Sequence, residues 1–445
     1  MISVEEALSR ITAGLAVMPV ETVAVSDAAG RVLAEPVMAR RSQPPFEVSA
    51  MDGWAVRAAD VAKVAAALTA VGAAPAGGAF DGVVGPGQAV RIFTGGPVPK
   101  GADCIVLQED AEQAGSQVTV REGAPAGRYI RPLGLDFREG EVGLPAGRWL
   151  TAADIGLAAA MNVPWLQVRR RPRIAILATG DELVRPGEPI GPNQIVSSNS
   201  LALAALVRAA GAEAIDLGIA RDERDSLIAQ AAGAQGADML VTIGGASVGD
   251  HDLVQKVLSE QGLKVDFWQI AMRPGKPLMF GQIRGIPLIG LPGNPVSALV
   301  CSLLFLRPAI GRMLALAEKD RPAARARLGC PLGANDRRQD YLRSALRYDA
   351  EGTAIATPFE KQDSSMLSRL AAADCLVIRP PPAPPGVGES GFRLVTYQMG
   401  RAVALAPISA RAGWLASVWL MDEVYASDGG CVWNHPPVSF ARASH

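Results

Sequence analysis

Three features of the sequence predict a multidomain chain of α/β and β parts, organised around one α/β domain with a mostly parallel sheet. Between about residues 173 and 312, short apolar strands alternate with helix-length segments. That alternation gives a parallel sheet covered by helices on both faces. Residues 41–140 and the region after Arg321 are instead rich in Gly, Pro and short β-like runs, which predicts two smaller β-rich domains. The chain is 445 residues long, and at roughly 100–200 residues per domain that length divides into about two to four domains.

The elements follow in chain order. Residues 3–17 read as a short helix, with Val4, Ala7, Leu8, Ile11 and Leu15 near helical spacing. ETVAVSDAAGRVLAEPVMA comes next and reads as extended. VRIFTG, CIVLQ, QVTV and YIRPLG supply the β-like runs of the first β-rich region. TAADIGLAAAMN (151–162) is a helix with Thr151 as N-cap and Asp154 at the third helical position, the spacing of reciprocal capping. In the α/β region IAILAT is a buried strand, LALAALVRAAG a helix ended by Gly211, and EAIDLGIA a strand. A charged helix starts near 222, DMLVTIGG is a strand and DLVQKVLSEQG a helix. YLRSALRY, TAIATPF, DCLVIRP and FRLVTY are the β-like stretches of the last domain, and 401–445 is a tail with Trp414, Trp419 and Trp433.

Composition narrows the function classes. Hydrophobic residues make up 49% and charged residues 20%, so there is ample material for a core. The formal net charge is -1, which leaves no general attraction to nucleic acid or to an anionic membrane; anion binding must come from local sites. The N-terminal MISVEEALSR is acidic where a secretory signal is basic. The longest apolar run, Val296 to Leu306, is interrupted by Ser297 and Ser302 and ends at Arg307 and Pro308, so it is expected to be too short to span a bilayer. A soluble, cytoplasmic protein is expected. Cys104, Cys301, Cys330, Cys375 and Cys431 show no CxxC spacing, and His251, His435 and His445 complete no zinc pattern, which predicts free thiols.

Seven motifs carry polar chemistry. In PPFEVSAMDGWAVR (44–57), Asp52-Gly53 forms a turn that projects one carboxylate. In RIFTGGPVPKGADCIVLQED (91–110), Thr94, Gly95 and Gly96 can offer N–H groups and a hydroxyl to an oxyanion. IRPLGLDFREGE (130–141) sets Asp136 between Arg131 and Arg138. Read singly, each of these is ordinary loop chemistry. ATGDEL (178–183) places Asp181 and Glu182 at a strand end, where two carboxylates can hold Mg²⁺ against a phosphate or simply decorate a helix start. TIGGASVGDHDLVQKVL (242–258) has Gly244 and Gly245 for close backbone approach, the Ser247 hydroxyl, and Asp250 and Asp252 where a helix begins. AMRPGKPLMFGQIRG (271–285) sets Arg273 and Lys276 at a Pro-Gly turn, suited to an oxyanion or diphosphate. In LPGNPVSALV (291–300), Asn294 is an N-cap and Pro295 fits the first helical position, so the free N–H groups there can face an anion. Together these fit a large phosphorylated substrate with a metal. Histidine is absent from them except for His251, so no Ser-His-Asp or Cys-His nucleophile can be argued. Neither a Walker A lysine motif nor a post-strand GxGxxG is present.

SAMDGWAVR, IFTGGPVPKGAD, ATGDEL, SNS, GGASVGDHD, AMRPGKP and LPGNPVSAL, in that order, resemble the signature series of the MoeA/gephyrin family of molybdopterin molybdenumtransferases. The resemblance runs from about residue 3 to about 397. It implies an elongated homodimer whose linker domain (1–40 plus 141–170) is split by the inserted β-rich domain (41–140). A molybdopterin-binding-like α/β domain (171–318), a C-terminal β domain (319–400) and the tail follow. In such enzymes the active site lies between the third domain of one subunit and the inserted domain of the other. The implied reaction takes adenylated molybdopterin and molybdate, with Mg²⁺, to molybdenum cofactor and AMP.

The resemblance also implies roles. Asp52, Thr94 and Asp136 come from the inserted domain, and Asp52, Asp136, Glu182 and Asp252 are the catalytic carboxylates. Glu182, Asp222 and Asp252 are the implied metal ligands. Arg273 and Lys276 hold molybdate or the diphosphate, while Ser247, the Gly244-Gly245 backbone and the Pro292, Asn294, Pro295 loop contact substrate. Three positions depart from the family pattern: Ala246 where Val is usual, His251 where an aromatic is usual, and Gln269 where Lys is common. The last removes one cation near the anion site. Implied partners are the adenylyltransferase and molybdoenzymes. Rival readings are a gephyrin-like scaffold acting through the tail, the related molybdopterin adenylyltransferase, and a nicotinamide-nucleotide deamidase.

Overall fold

A computed structural model of the chain describes residues 1–75, 77–244, 253–317 and 325–383, and the backbone of Phe392–Thr396. The tail lies outside these residues. The chain divides into two compact units. One joins Met1–Met18 and Arg171–Leu314 with the described residues from 325 onward; the other is Pro19–Arg170 with Ala315–Ala317.

The first unit is built on a six-stranded sheet in the order Glu213–Ala220, Arg173–Thr179, Met239–Ile243, Ile286–Leu291, Met279–Ile283, Leu263–Phe267. The first four strands pair in parallel, and Met279–Ile283 runs antiparallel to both its neighbours. The mostly parallel sheet is therefore as the alternation predicts, with one reversed strand. Arg173–Thr179 is buried at every position but its first, and Met239–Ile243 at all of them. Burial on both faces is why these strands read as unbroken apolar runs. The helix Leu253–Glu260 turns Val254, Val257 and Leu258 into the core beside Leu177, Leu240 and Leu288, the i, i+3, i+4 stripe of a helix on a sheet.

The reversed strand was not legible in the sequence. Its hairpin to Ile286–Leu291 turns on Arg284 and Gly285, both at positive φ (50° and 85°). A two-residue turn of this hand normally carries Asn or Asp before the Gly, and Arg gives no such signal.

The apolar run beginning at Val296 extends further than its composition suggests. Pro295–Cys301, a π-helical turn at Ser302–Leu306 and Arg307–Met313 form one continuous helix. The π turn stands just before Pro308, whose missing N–H would otherwise interrupt the ladder. At 19 residues this helix is long and apolar enough to cross a membrane, but 67% of it is buried inside the unit. Val300, Phe305 and Ile310 are fully buried; it is a core helix. The helix Val4–Ala13, capped by the Ser3 hydroxyl, packs against its last turns, so residues 1–18 go with the α/β unit. The same unit carries a second six-stranded sheet among the described residues, in which Gln339–Tyr348 pairs with Ala354–Pro358, Cys375–Arg379 and the short Met272–Arg273.

In the second unit, Val20–Ala24 pairs with Trp165–Arg169 and Val37–Met38 with Val142–Leu144. Leu33, Leu144, Leu150, Met161 and Leu166 form the core between them. The residues between 48 and 131 make a sheet in the order Cys104–Leu107, Gly53–Val56, Gln88–Ile92, Ala66–Ala74, Gln117–Val120, Ala111–Ala114.

The helix Ala152–Ala160 opens on the expected reciprocal cap between Thr151 and Asp154. Burial by itself would raise the Asp154 carboxyl, but hydrogen bonds from Arg148 and Thr151 outweigh it and hold the group below the usual range. Its side chain is 3% exposed, with Arg148 at 2.7 Å. Thr151→Ala should therefore loosen this helix by about 1 kcal/mol. Asp154→Ala, which strips the cap and leaves Arg148 without its partner, should cost about 2–3 kcal/mol. Because the folded pKa is depressed, the Asp154 contribution is present above the ordinary carboxylate range and is lost as pH falls through the folded value. Hydrogen exchange of the 152–160 amides reads all three effects.

Candidate active site

The parallel register decides where the charges of the α/β unit stand. Thr179 pairs with Ala220, so the two chains leave the sheet side by side, one into Gly180, Asp181 and Glu182, the other into Asp222. The Asp222 N–H donates to Asp181 Oδ1 at 3.1 Å. Burial, and then the charges of Asp181 and Glu182, raise the Asp222 carboxyl above its ordinary value. Glu182 folds back over Gly180: a Cβ on Gly180 would lie 2.5 Å from the Glu182 Oε2. Gly244, at the end of the next strand, has φ 93°, and a Cβ there would come within 2.7 Å of the Thr179 carbonyl. Only glycine lets these two strand ends approach so closely.

These strand ends open on a cavity of about 1160 Å³ lined by Thr179, Glu182, Asp222, Gly244, Pro292, Asn294 and Pro295. Crevices at the carboxyl ends of parallel strands are where such sheets bind ligands. The volume exceeds the roughly 300–1000 Å³ typical of small-molecule pockets, so it suits a large ligand. Of the residues singled out in the sequence, the cavity unites Glu182, Asp222, Gly244, Pro292, Asn294 and Pro295. Asn294 is the N-cap of its helix but makes no side-chain capping bond, so its amide is available to a ligand.

Arg273 and Lys276 do not line the cavity. Arg273 is tied to Asp340 by two hydrogen bonds of 2.9 and 2.8 Å, from Nε to Oδ1 and from NH2 to Oδ2, and Asp340 is 2% exposed. Arg273, expected to hold molybdate or the diphosphate, is thus paired with a buried carboxylate 67 positions away while its own side chain stays 48% exposed. Lys276 is exposed on the same turn. Gly245, Ser247 and Asp252, with the departures Ala246 and His251, lie outside the described residues.

Several residues at this site were not singled out as site residues in the sequence. Asn199, inside the SNS motif, donates from Nδ2 to the Gly293 carbonyl at 2.6 Å and so pins the LPGNP loop. Ser365 and Leu367 bring the C-terminal sheet region to the cavity wall, and Lys256 lines it from the helix Leu253–Glu260. Only the SNS string gave any signal; the others are surface-type residues in unremarkable contexts.

In the second unit, strand pairing of Gly53 with Ile92 sets Asp52 beside Thr94. Asp52 Oδ1 accepts from both the Thr94 N–H and its hydroxyl, each at 2.7 Å. These two bonds, with the Arg91 guanidinium nearby, hold the Asp52 carboxyl below the usual range. Arg91 itself stacks on Trp54 and Phe93 at 5.5 and 5.0 Å and bonds the Gly53 carbonyl. The expectation that the 94–96 N–H groups face an oxyanion is overturned. Thr94 donates to Asp52, Gly95 to the Ser49 carbonyl and Gly96 to the Phe93 carbonyl. Asp136 lines a separate cavity of about 440 Å³ with Arg41, Phe46 and Arg131.

Comparison with known proteins agrees with this layout. Three family models match in succession: "MoeA N-terminal region (domain I and II)" over 2–162, "Probable molybdopterin binding domain" over 175–312 and "MoeA C-terminal region (domain IV)" over 325–389. The chain is 39% identical to a molybdopterin molybdenumtransferase of Nostoc sp. over 73% of its own length and 77% of the relative. It is 37% identical to molybdopterin molybdenumtransferase 2 of Mycobacterium tuberculosis over 80% and 90%. Among solved structures, a molybdopterin biosynthesis moeA protein from Pyrococcus horikosii superposes with a TM-score of 0.75 at 30% identity, covering 89% of this chain and 99% of that one.

Two titrations test the site's electrostatics. Thr94→Val removes one of the two bonds to Asp52 and should move its carboxyl upward, read from the ¹³C shift of the Asp52 carboxyl against pH. Glu182→Gln removes a like charge from beside Asp222 and should move that carboxyl downward by the same readout. An unchanged Asp222 titration would mean that the two carboxylates do not share the cavity wall.

Proposed function

This chain belongs to the family of molybdopterin molybdenumtransferases, and we propose that it inserts molybdate into adenylated molybdopterin with release of AMP, the last step in making the molybdenum cofactor. The observation that carries this reading is the cavity of about 1160 Å³ at the strand ends, with Glu182 and Asp222 on its wall and glycine backbone at its floor. A nucleotide-linked pterin needs that volume. Its phosphates need hard cations and hydrogen-bond donors, which such a rim can organise.

The donor set fits Mg²⁺. Glu182 and Asp222 are oxygen donors lining one cavity, and a divalent cation there offsets the Asp181 and Glu182 charges that, after burial, raise Asp222. Among the described residues no three ligating side chains converge to hold an ion unaided. Substrate oxygens and water then complete the shell, as is usual for Mg²⁺. Bound there, the metal supplies charge neutralisation at the phosphate oxygens. We assign Glu182 and Asp222 to metal holding, and Asp252 of the GDHD motif to the same set. The Asn294 amide and the Pro292–Pro295 loop backbone position the ligand. Asp52, kept ionised by Thr94, and Asp136 are assigned catalytic roles. We propose further that the protein works as a homodimer in the cytoplasm. In this reading an adenylyltransferase provides its substrate and molybdoenzymes take its product.

The test is AMP release from adenylated molybdopterin by purified protein with Mg²⁺, with and without molybdate. Molybdate-stimulated release with formation of active cofactor is expected. A folded protein that binds the nucleotide and releases no AMP would contradict the reading. Glu182→Ala should lower the rate by about 100-fold or more. Protons compete with the metal for Asp222, whose pKa is raised. The Mg²⁺ requirement should therefore climb as pH falls, and begin to climb at a higher pH than for an ordinary aspartate.

A further inference from the structure

The large cavity of the α/β unit is short of positive charge. Glu182 and Asp222 line it, and Asp181 stands against the Asp222 backbone. The two cations expected to meet an anion are placed otherwise: Arg273 is held on Asp340, and Lys276 is not on the lining. Two carboxylates with one divalent ion leave no surplus charge for a ligand that itself carries phosphates.

One cationic side chain does line the cavity. Lys256 sits in the helix Leu253–Glu260, whose Val254, Val257 and Leu258 are buried in the core. On a helical wheel Lys256 falls opposite that stripe, and it is exposed at the cavity. Among the described residues it has no carboxylate partner. Among the described residues its ammonium is neither neutralised by a salt bridge nor spent on a hydrogen bond. A lysine on an exposed helix face is ordinarily just solvated. Here it lines the same cavity as Glu182 and Asp222, and among the described residues no other lysine or arginine does so.

We propose that Lys256 binds a phosphate group of the substrate in this cavity, acting as a point charge that Arg273, off the lining, does not supply there. The inference rests on the reading of the cavity as the adenylated molybdopterin site. Of the two oxyanions in that reaction, the phosphate belongs to the ligand large enough to fill the cavity, whereas molybdate is small and free. A compact ammonium on a flexible stem suits a phosphate whose oxygens are also shared with a metal.

The test is equilibrium binding of AMP, with saturating Mg²⁺, to the full-length protein and to Lys256→Gln, Lys256→Glu and Lys256→Arg. Lys256→Gln should weaken AMP binding about 10-fold, Lys256→Glu should weaken it more, and Lys256→Arg should stay within about 3-fold of the unsubstituted protein. The affinity of the unsubstituted protein should fall more steeply with salt than that of Lys256→Gln. Unchanged AMP affinity in both Lys256→Gln and Lys256→Glu would overturn the assignment. So would a loss of molybdate binding with AMP binding intact, since the cation would then serve the other oxyanion. If the unsubstituted protein itself bound no AMP, the reading of the cavity would fail, and this assignment with it.

Discussion

The pairing of Thr179 with Ala220 in parallel register is the constraint on which the site depends. A parallel sheet buried on both faces must release all its chains at one edge, and it fixes which loops emerge side by side. Here it delivers Asp181 and Glu182 from one strand and Asp222 from its neighbour into the same crevice. Burial, and then the charges of Asp181 and Glu182, raise the Asp222 carboxyl there. Groups held apart from their ordinary pKa at the mouth of a cavity are what a cation- and phosphate-binding site requires. The glycines at 180 and 244 follow from the same crowding, since a side chain at 180 would strike the Glu182 carboxylate and one at 244 the Thr179 carbonyl.

The second unit solves the opposite problem. Asp52 is exposed to solvent-like surroundings, yet the Thr94 N–H and hydroxyl both bond to it. The antiparallel pairing of Gly53 with Ile92 brings the two loops together. The Arg91 guanidinium, stacked between Trp54 and Phe93, braces both strands from the same side. The α/β unit thus presents an Asp222 carboxyl raised by burial and by like charge, and the second unit an Asp52 carboxyl lowered by hydrogen bonds.

How far all this could be read in advance depended on whether the signal was local. The buried strand IAILAT, the helix ended by Gly211 and the Thr151–Asp154 cap were legible because period, stop residue and cap spacing each lie within a few positions. Glu182 and Asn294 were legible because they follow or open elements of clear period, whereas Asp222 came only from the family resemblance. Tertiary pairing hid the rest. Arg273 reads as a free cation until Asp340, far along the chain, reaches it. The Thr94–Gly96 loop reads as an anion nest until its N–H groups find Asp52, Ser49 and Phe93. Lys256 reads as one more solvated lysine, and Ser365 as an ordinary loop residue, because the cavity that gathers them exists only after the C-terminal sheet packs on the α/β layer.

The central claim is that the carboxylates at the strand ends exist to hold a cation that in turn holds phosphate. The most direct measurement is the affinity of the protein for AMP at saturating Mg²⁺ and with the metal chelated, each over a range of pH. The expected result is that Mg²⁺ and AMP tighten one another, with the coupling fading as pH falls and Asp222 takes up its proton. AMP binding that is equally tight with and without Mg²⁺, at a pH where Asp222 and Glu182 are ionised, would contradict it.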